Sequence, residues 1–350
     1  MDRQGHQGWH DPPRVPRLRS VPAPSPSSDL RGLALVLGSA TAFGGMAVFA
    51  KEAYATGLGV LSLLEARFVC AALVFWIVVA VRHRRGTARF APSRATVQAG
   101  LLLGAVGYAA QSGLYFGALT RIDASLVALL LYLHPVIVVL GALTTGRETP
   151  GARTWAALGA ASTGGILVLL GGGVGDLDGL GVTMAVGAAL AYATYILCTD
   201  RAATDAEPFA LSAFITTGAA FSFGVAWLAS GELDPGAMVG AAGWIVAIAL
   251  VSTVGAVTLF LAGMARVGPS RASIVSTFEP VVTVGLAMTI YGEALTAVQL
   301  AGALLVLSAV VVLNLRPRRA PAQPARTEPD APADPPHEAA PAPVPVGATA

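Results

Sequence analysis

Apolar stretches of near-constant length, following one another from residue 33 to residue 315, constrain this chain more than anything else in it. Ten of them fall near 33–50, 60–81, 95–117, 122–145, 153–171, 180–199, 208–230, 240–265, 271–291 and 295–315. About 20 apolar residues carry a helix across the hydrocarbon core of a bilayer. Backbone polar groups have no water partner there, so only helices and closed barrels can span. The strands of a barrel would be about 10 residues long and alternate in polarity, and these runs do neither. Charged residues make up only 12% of the chain, against about 25% in soluble proteins. The expectation is an all-α polytopic membrane protein with ten transmembrane helices, embedded in the lipid bilayer and with no role in nucleic-acid binding.

The second half of the chain repeats the first. Leu114–Leu167 and Leu259–Val312 align without a gap at an offset of 145 residues, so that Arg121 falls on Arg266, Pro135 on Pro280 and Glu148 on Glu293. Helix 1 joins the pattern, because Gly38-Ser-Ala-Thr-Ala-Phe-Gly-Gly45 resembles Gly187-Ala-Ala-Leu-Ala-Tyr-Ala-Thr194 in helix 6. An odd number of crossings per repeat inverts one half relative to the other, and inverted halves enclosing a midplane cavity are a common plan of secondary transporters.

Arginine sets the expected orientation. With ten crossings, the N-terminal arm (Arg3, Arg14, Arg17, Arg19, Arg31), the break after helix 2 (Arg82, Arg84, Arg85, Arg89, Arg94), Arg147, Arg153, Arg201, Arg266, Arg271 and the basic start of the tail all fall on one side. The opposite side receives Lys51 and Arg121 among acids such as Asp176, Asp178, Glu232 and Asp234. The positive-inside rule then places both termini in the cytoplasm of a multi-pass inner-membrane protein. Residues 1–30, rich in Pro, Ser and Arg, and 317–350, mostly Pro and Ala, are expected to be disordered cytoplasmic arms. They flank a first five-helix repeat over 33–171 and a second over 180–315.

Chemistry is concentrated at two prolines. Pro135 and Pro280 stand near the middles of helices 4 and 9, where each frees the carbonyl four residues earlier, Leu131 and Ser276. Paired breaks at matching repeat positions point to a central binding site. The preceding residues are His134 and Glu279. Glu279 lies eight residues from its helix end, about 12 Å deep at 1.5 Å per residue, and ionisable groups at that depth usually face a cavity or a partner. Both suit proton coupling or recognition of a substrate amine. Tyr108, Gln111 and Tyr115 share one face of helix 3, and Tyr132, Ser276 and Thr277 complete the candidate substrate-binding set. Plain kinks and interhelical hydrogen bonds are the structural alternative for all of these.

Glu65 and Arg67 in helix 2 are two residues apart and cannot face each other, so each is expected to find a partner elsewhere in a structural or gating ion pair. Gly100, Gly104, Gly113, Gly117, Gly159 and Gly164 suggest tight helix contacts. Cys70 and Cys198 lie in apolar runs without metal or redox spacing. The chain has no nucleotide-binding loop, no metalloprotease motif and no nucleophile elbow, which speaks against an enzyme and against a metal or cofactor.

The chain resembles the EamA family of the drug/metabolite transporter superfamily. The resemblance rests on ATAFGGMAVFAK ending at Lys51, on Arg67-Phe68, and above all on Phe278–Val312, with Glu279-Pro280, Gly292-Glu293 and Gln299–Gly302. Phe43 departs from it, standing where tryptophan is common. The resemblance covers about 33–315. It implies two inverted five-helix halves, cytoplasmic termini, alternating access about a central cavity, and gradient-driven export or exchange of small metabolites such as amino acids. The expected function is therefore secondary transport of a small molecule, with protons as the candidate coupling ion. A membrane-embedded binding or accessory subunit is the alternative, and the sequence fixes neither substrate nor oligomeric state.

Overall fold

The computed structural model describes residues 26–87, 90–144, 152–171, 178–202, 207–231 and 234–314. The arm up to residue 25, the tail from residue 315, and Arg89, Arg147, Glu148, Asp176 and Glu232 lie outside them, as do the side chains of Arg153 and Arg201. Every described element is helical, and no strand occurs among the described residues.

In chain order the helices are α1 (Pro26–Gly44), α2 (Met46–Ala55), α3 (Val60–Arg84), α4 (Arg94–Leu102), α5 (Ala109–Ala118), α6 (Ala124–Leu131), α7 (His134–Thr144), α8 (Ala152–Gly171) and α9 (Gly179–Ala202). There follow α10 (Pro208–Ser230), α11 (Pro235–Gly240), α12 (Ala242–Ala249), α13 (Ala256–Val267), α14 (Pro269–Ser276), α15 (Glu279–Tyr291) and α16 (Ala297–Asn314). Two π-helical turns, Leu103–Tyr108 between α4 and α5 and Leu250–Gly255 between α12 and α13, join their neighbours into continuous rods. Helix α1 begins at Pro26, inside the stretch 1–30 expected to be an arm. Proline suits a first turn, where its missing N–H costs nothing.

Among the described residues seven helical stretches are long and apolar enough to cross a membrane: Leu30–Ala55, Val60–Arg84, Ala124–Gly141, Gly179–Thr199, Pro208–Ser230, Ala242–Val267 and Arg271–Tyr291. Trp155–Val168 and Ala297–Val312 are shorter apolar helices. Large apolar side chains such as Leu73, Ile77, Phe221 and Val239 point outward. On a soluble protein such a surface would drive association, whereas lipid solvates it.

Each half packs on the other. Helix α1 lies against α13 and α3 against α10, while α5 meets α9, α6 meets α15 and α8 meets α16. With no hydrophobic drive between helices in lipid, close packing has to supply the attraction. The α8–α16 contact shows how. A Cβ on Gly164 would lie 2.7 Å from the Gly302 carbonyl oxygen, and one on Gly302 would lie 2.6 Å from the Gly164 carbonyl. The residues are small because backbone meets backbone. Gly159, in contrast, faces open space.

The expected breaks are present. The chain leaves helix at Tyr132 and Leu133, resuming at His134 with Pro135 in the first turn, and leaves it again at Thr277 and Phe278, resuming at Glu279 with Pro280 in the first turn. Each proline thus starts a new helix rather than bending a continuous one.

Candidate functional site

Between the two halves lies a cavity of about 340 Å3. Tyr108, Gln111, Tyr115, Tyr132, His134, Ser276 and Glu279 all line it, so the structure gathers seven of the expected substrate-binding residues around one space. Thr277 does not line it; its hydroxyl turns back to the Ile274 carbonyl at 2.6 Å.

Both freed carbonyls have partners. The Leu131 carbonyl takes a hydrogen bond from His134 Nδ1 at 2.9 Å. A carbonyl only accepts, so Nδ1 carries the hydrogen, and in the neutral ring Nε2 is left as an acceptor. The Ser276 carbonyl accepts from the Tyr132 hydroxyl at 2.8 Å, and the same hydroxyl stands 3.2 Å from Glu279 Oε2. Tyr132 from the first break thereby ties the second break to itself across the cavity. The His134 ring rests on Tyr192, with centroids 4.5 Å apart, and Tyr192, Tyr195 and Tyr108 continue an aromatic wall.

Arg67 departs from expectation. Among the described residues no carboxylate lies within ion-pair distance of it. The residue is 1% exposed, and it lines the cavity. Nε donates to Thr253 Oγ1 at 3.1 Å, Nη2 approaches the Tyr108 hydroxyl at 3.4 Å, and the Phe68 and Phe116 rings lie 4.7 and 5.0 Å away. Nη1 has no partner. Glu65 turns toward Gly224 of α10, and its Oε2 is likewise unpaired. The expected gating ion pair is therefore not formed by either residue in this structure. Hydroxyls and ring faces hold Arg67 where a counter-ion was anticipated.

An ion pair does form at one end of the bundle, between Lys51, a cation expected on the sparse side, and Glu293, the repeat counterpart of Glu148. Gly292 ends α15 in the left-handed region, φ +66°, which reverses the chain. Glu293 then reaches Lys51 Nζ at 2.8 Å and the first turn of α6, accepting from the Ala124 and Ser125 N–H groups at 3.0 Å each and from Ser125 Oγ at 2.7 Å. Burial pushes the Glu293 carboxyl up, but the hydrogen bonds from Lys51 and Ser125 outweigh it, and the group ends below the usual carboxylate range. Nearby, Glu52 accepts from the Tyr291 hydroxyl at 2.9 Å. Arg121 meets Asp178 at 2.9 Å on the surface. Asp178 also caps α9 through the Leu180 and Gly181 N–H groups, and the Gly181 bond leads in holding its carboxyl low. Lys51 and Arg121, the cations expected on the sparse side, are thus both neutralised.

Phe43, Tyr192, Tyr195 and Thr253 also line the cavity, and sequence reasoning did not single them out for it. The repeat carried a signal for one pair: Phe43 and Tyr192 occupy the same place in the matching segments of helices 1 and 6. Among the described residues no cluster of three or more His, Cys, Asp or Glu could hold a metal.

A charge-poor bundle whose apolar side chains face outward and whose polar ones face an internal cavity is a polytopic membrane protein. Residues 30–170 and, again, residues 179–315 match the EamA-like transporter family, and the chain belongs to that family. The two matched stretches correspond to the two repeats. A solved crystal structure described only as that of a protein shares the fold, with 19% identity and a TM-score of 0.55 over 83% of this chain and 98% of that one. No curated protein matches the chain.

Proposed function

We propose that this protein is a secondary active transporter that exports or exchanges small metabolites, amino acids among them, by alternating access around the central cavity. The observation that carries the proposal is the pair of helix breaks at Tyr132–Leu133 and Thr277–Phe278, at matching repeat positions and beside one cavity. A passive scaffold has no need of two interrupted helices at membrane depth, where each freed carbonyl must find a partner.

In this reading the chain crosses ten times, as two inverted five-helix halves with cytoplasmic termini. The cross-half pairing fits a two-fold relation between the halves, because exchanging them maps the α1–α13 contact onto α5–α9 and maps α3–α10 and α8–α16 onto themselves, and five crossings per half then invert one against the other. The cavity lining runs to Phe75, Ser212 and Phe260, toward the ends that carry Arg82, Glu207 and Arg266, while Lys51 and Glu293 close the other end. That arrangement fits a state closed to the outside.

Protons are the coupling ion we favour. The Tyr132 hydroxyl has one hydrogen and two neighbouring acceptors, and the shorter contact is to Ser276. Glu279 Oε2 accepts from the Tyr132 hydroxyl at 3.2 Å, which sets a titratable carboxyl at the second break and beside the cavity, where a coupling proton would be carried. The test is flux in liposomes containing this protein alone, with solute and proton gradients imposed in turn. Solute movement that responds to the proton gradient supports the proposal. Binding without movement under either gradient sign would overturn it.

A further inference from the structure

The guanidinium of Arg67 is costly where it stands. The residue is 1% exposed within α3, in the interior of a membrane bundle, and four neutral groups do most of what is done for it: the hydroxyls of Thr253 and Tyr108 and the ring faces of Phe68 and Phe116. These contacts fix its plane but leave its full positive charge. A buried cation without a counter-ion is among the most expensive groups a membrane protein can hold. Its Nη1, with two hydrogens to donate, is buried without a hydrogen-bond partner among the described residues and belongs to a side chain that lines the cavity.

We propose that Arg67 is the seat of a carboxylate on the transported solute, which closes on the free Nη1. The proposal deepens the transport reading by naming the chemistry of its substrate, but the binding it describes stands whether or not the solute moves.

The charge balance selects the ligand. A neutral solute would leave the guanidinium unpaired. A phosphate or sulfate dianion would bring one negative charge too many to a cavity whose lining holds an acid, Glu279, and no second cation beside Arg67 but the His134 ring, the rest being hydroxyls, one amide, rings and aliphatic groups. A single carboxylate matches, and guanidinium nitrogens bind it with strong charge-assisted bonds. At about 340 Å3 the cavity is near the lower end of small-molecule sites, so the acid is small, and the tyrosine wall favours a flat apolar body.

The repeat gives the placement a second meaning. Tyr108 and Thr253, the hydroxyls that hold the guanidinium, stand 145 residues apart, which is the repeat offset, and each lies in a π-helical turn. Such turns occur often at functional sites. Arg67 therefore hangs between equivalent points of the two halves, and a carboxylate bound to it senses both.

The test uses the full chain in lipid nanodiscs with three probes of one shape: 3-phenylpropionate, its carboxamide, and phenethylamine. Titration calorimetry and thermal shift should find the acid binding, with amide and amine roughly 10- to 100-fold weaker, the loss expected for a charge-assisted hydrogen bond. Arg67→Gln should erase the acid's advantage. Should that variant not fold, Arg67→Lys keeps the charge but not the fork and should narrow the acid-to-amide ratio. An Arg67 that is merely structural would lower thermal stability and leave that ratio unchanged. Equal binding of acid and amide, no binding of the acid, or an unchanged ratio in Arg67→Lys overturns the proposal. Counterflow of 3-phenylpropionate in liposomes separates the two readings. Discriminating binding without counterflow overturns transport and keeps the subsite, whereas counterflow without discrimination does the reverse.

Discussion

Glu293→Gln should open the Lys51 end of the bundle. The carboxylate accepts four hydrogen bonds, from Lys51 Nζ, Ala124 N, Ser125 N and Ser125 Oγ, which fills the roughly four lone-pair sites it has. Glutamine offers one oxygen and turns its NH2 toward donors. In the less costly orientation the amide oxygen serves Lys51 and Ala124, the Ser125 hydroxyl rotates to accept, and the Ser125 N–H is orphaned. The ion pair has side-chain exposures of 20% and 6%, so at least its Lys51 half is screened by solvent, and we assign it about 1 kcal/mol at most. Losing the acceptor at the first turn of α6 costs about 1 kcal/mol, and losing the charge at a helix N-terminus about 0.5 kcal/mol. The closed state is then weakened by about 2–3 kcal/mol, a roughly 30- to 150-fold gain in the open population.

The assay replaces Cys70 and Cys198, which are unpaired, and places one cysteine at Met46, a cavity-lining position on α2 five residues before Lys51. An impermeant maleimide is added on the Lys51 side. Labelling should be at least 10-fold faster in Glu293→Gln than in the parent, since the rate follows the open population. Rates within twofold of each other would refute the reasoning. The same assay has a pH signature. The Glu293 carboxyl lies below the ordinary carboxylate range when the end is closed, so its contribution is complete at neutral pH and is lost only as pH falls through that lowered value. The parent should hold its slow rate through mild acid and accelerate only at strongly acid pH, and the variant should show no such step.

Other changes test other parts. Glu279→Gln should abolish proton-driven flux while sparing solute binding, and an unaltered pH dependence of transport would remove Glu279 from coupling. Tyr132→Phe leaves the Ser276 carbonyl without its donor, a cost of about 1–3 kcal/mol for a buried unsatisfied group, which thermal unfolding in detergent should register as a lower midpoint. Gly302→Val forces a Cβ against the Gly164 carbonyl and the Val168 N–H, and overpacking of about 1–3 kcal/mol should lower the midpoint likewise. Gly159→Ala, which meets nothing within 4 Å, should leave it unmoved.

Hydropathy located the long apolar helices because a bilayer sets a minimum length for a crossing, and seven of the described stretches reach it. The repeat located the breaks, because Pro135 and Pro280 stand at the same place in both halves. What sequence missed are distances closed by the fold. Lys51 and Glu293 are 242 residues apart, and nothing in either local pattern says that Gly292 turns the carboxylate onto α6. The π-helical turns at Leu103–Tyr108 and Leu250–Gly255 leave no mark in composition. Arg67 misled for a physical reason. A buried cation argues for a protein carboxylate, and here hydroxyls and aromatic faces hold it, with one nitrogen left over. Thr277 was placed in the site by its neighbours, yet it lies in the break itself, where its hydroxyl serves the backbone.

The most direct test of the account compares metabolites released by cells that express the parent chain, Glu279→Gln or an empty vector, at matched membrane levels. The account predicts at least one small carboxylic metabolite released above the vector level by the parent and not by the variant. Release indistinguishable from the vector in the parent, together with no flux in liposomes, would contradict it.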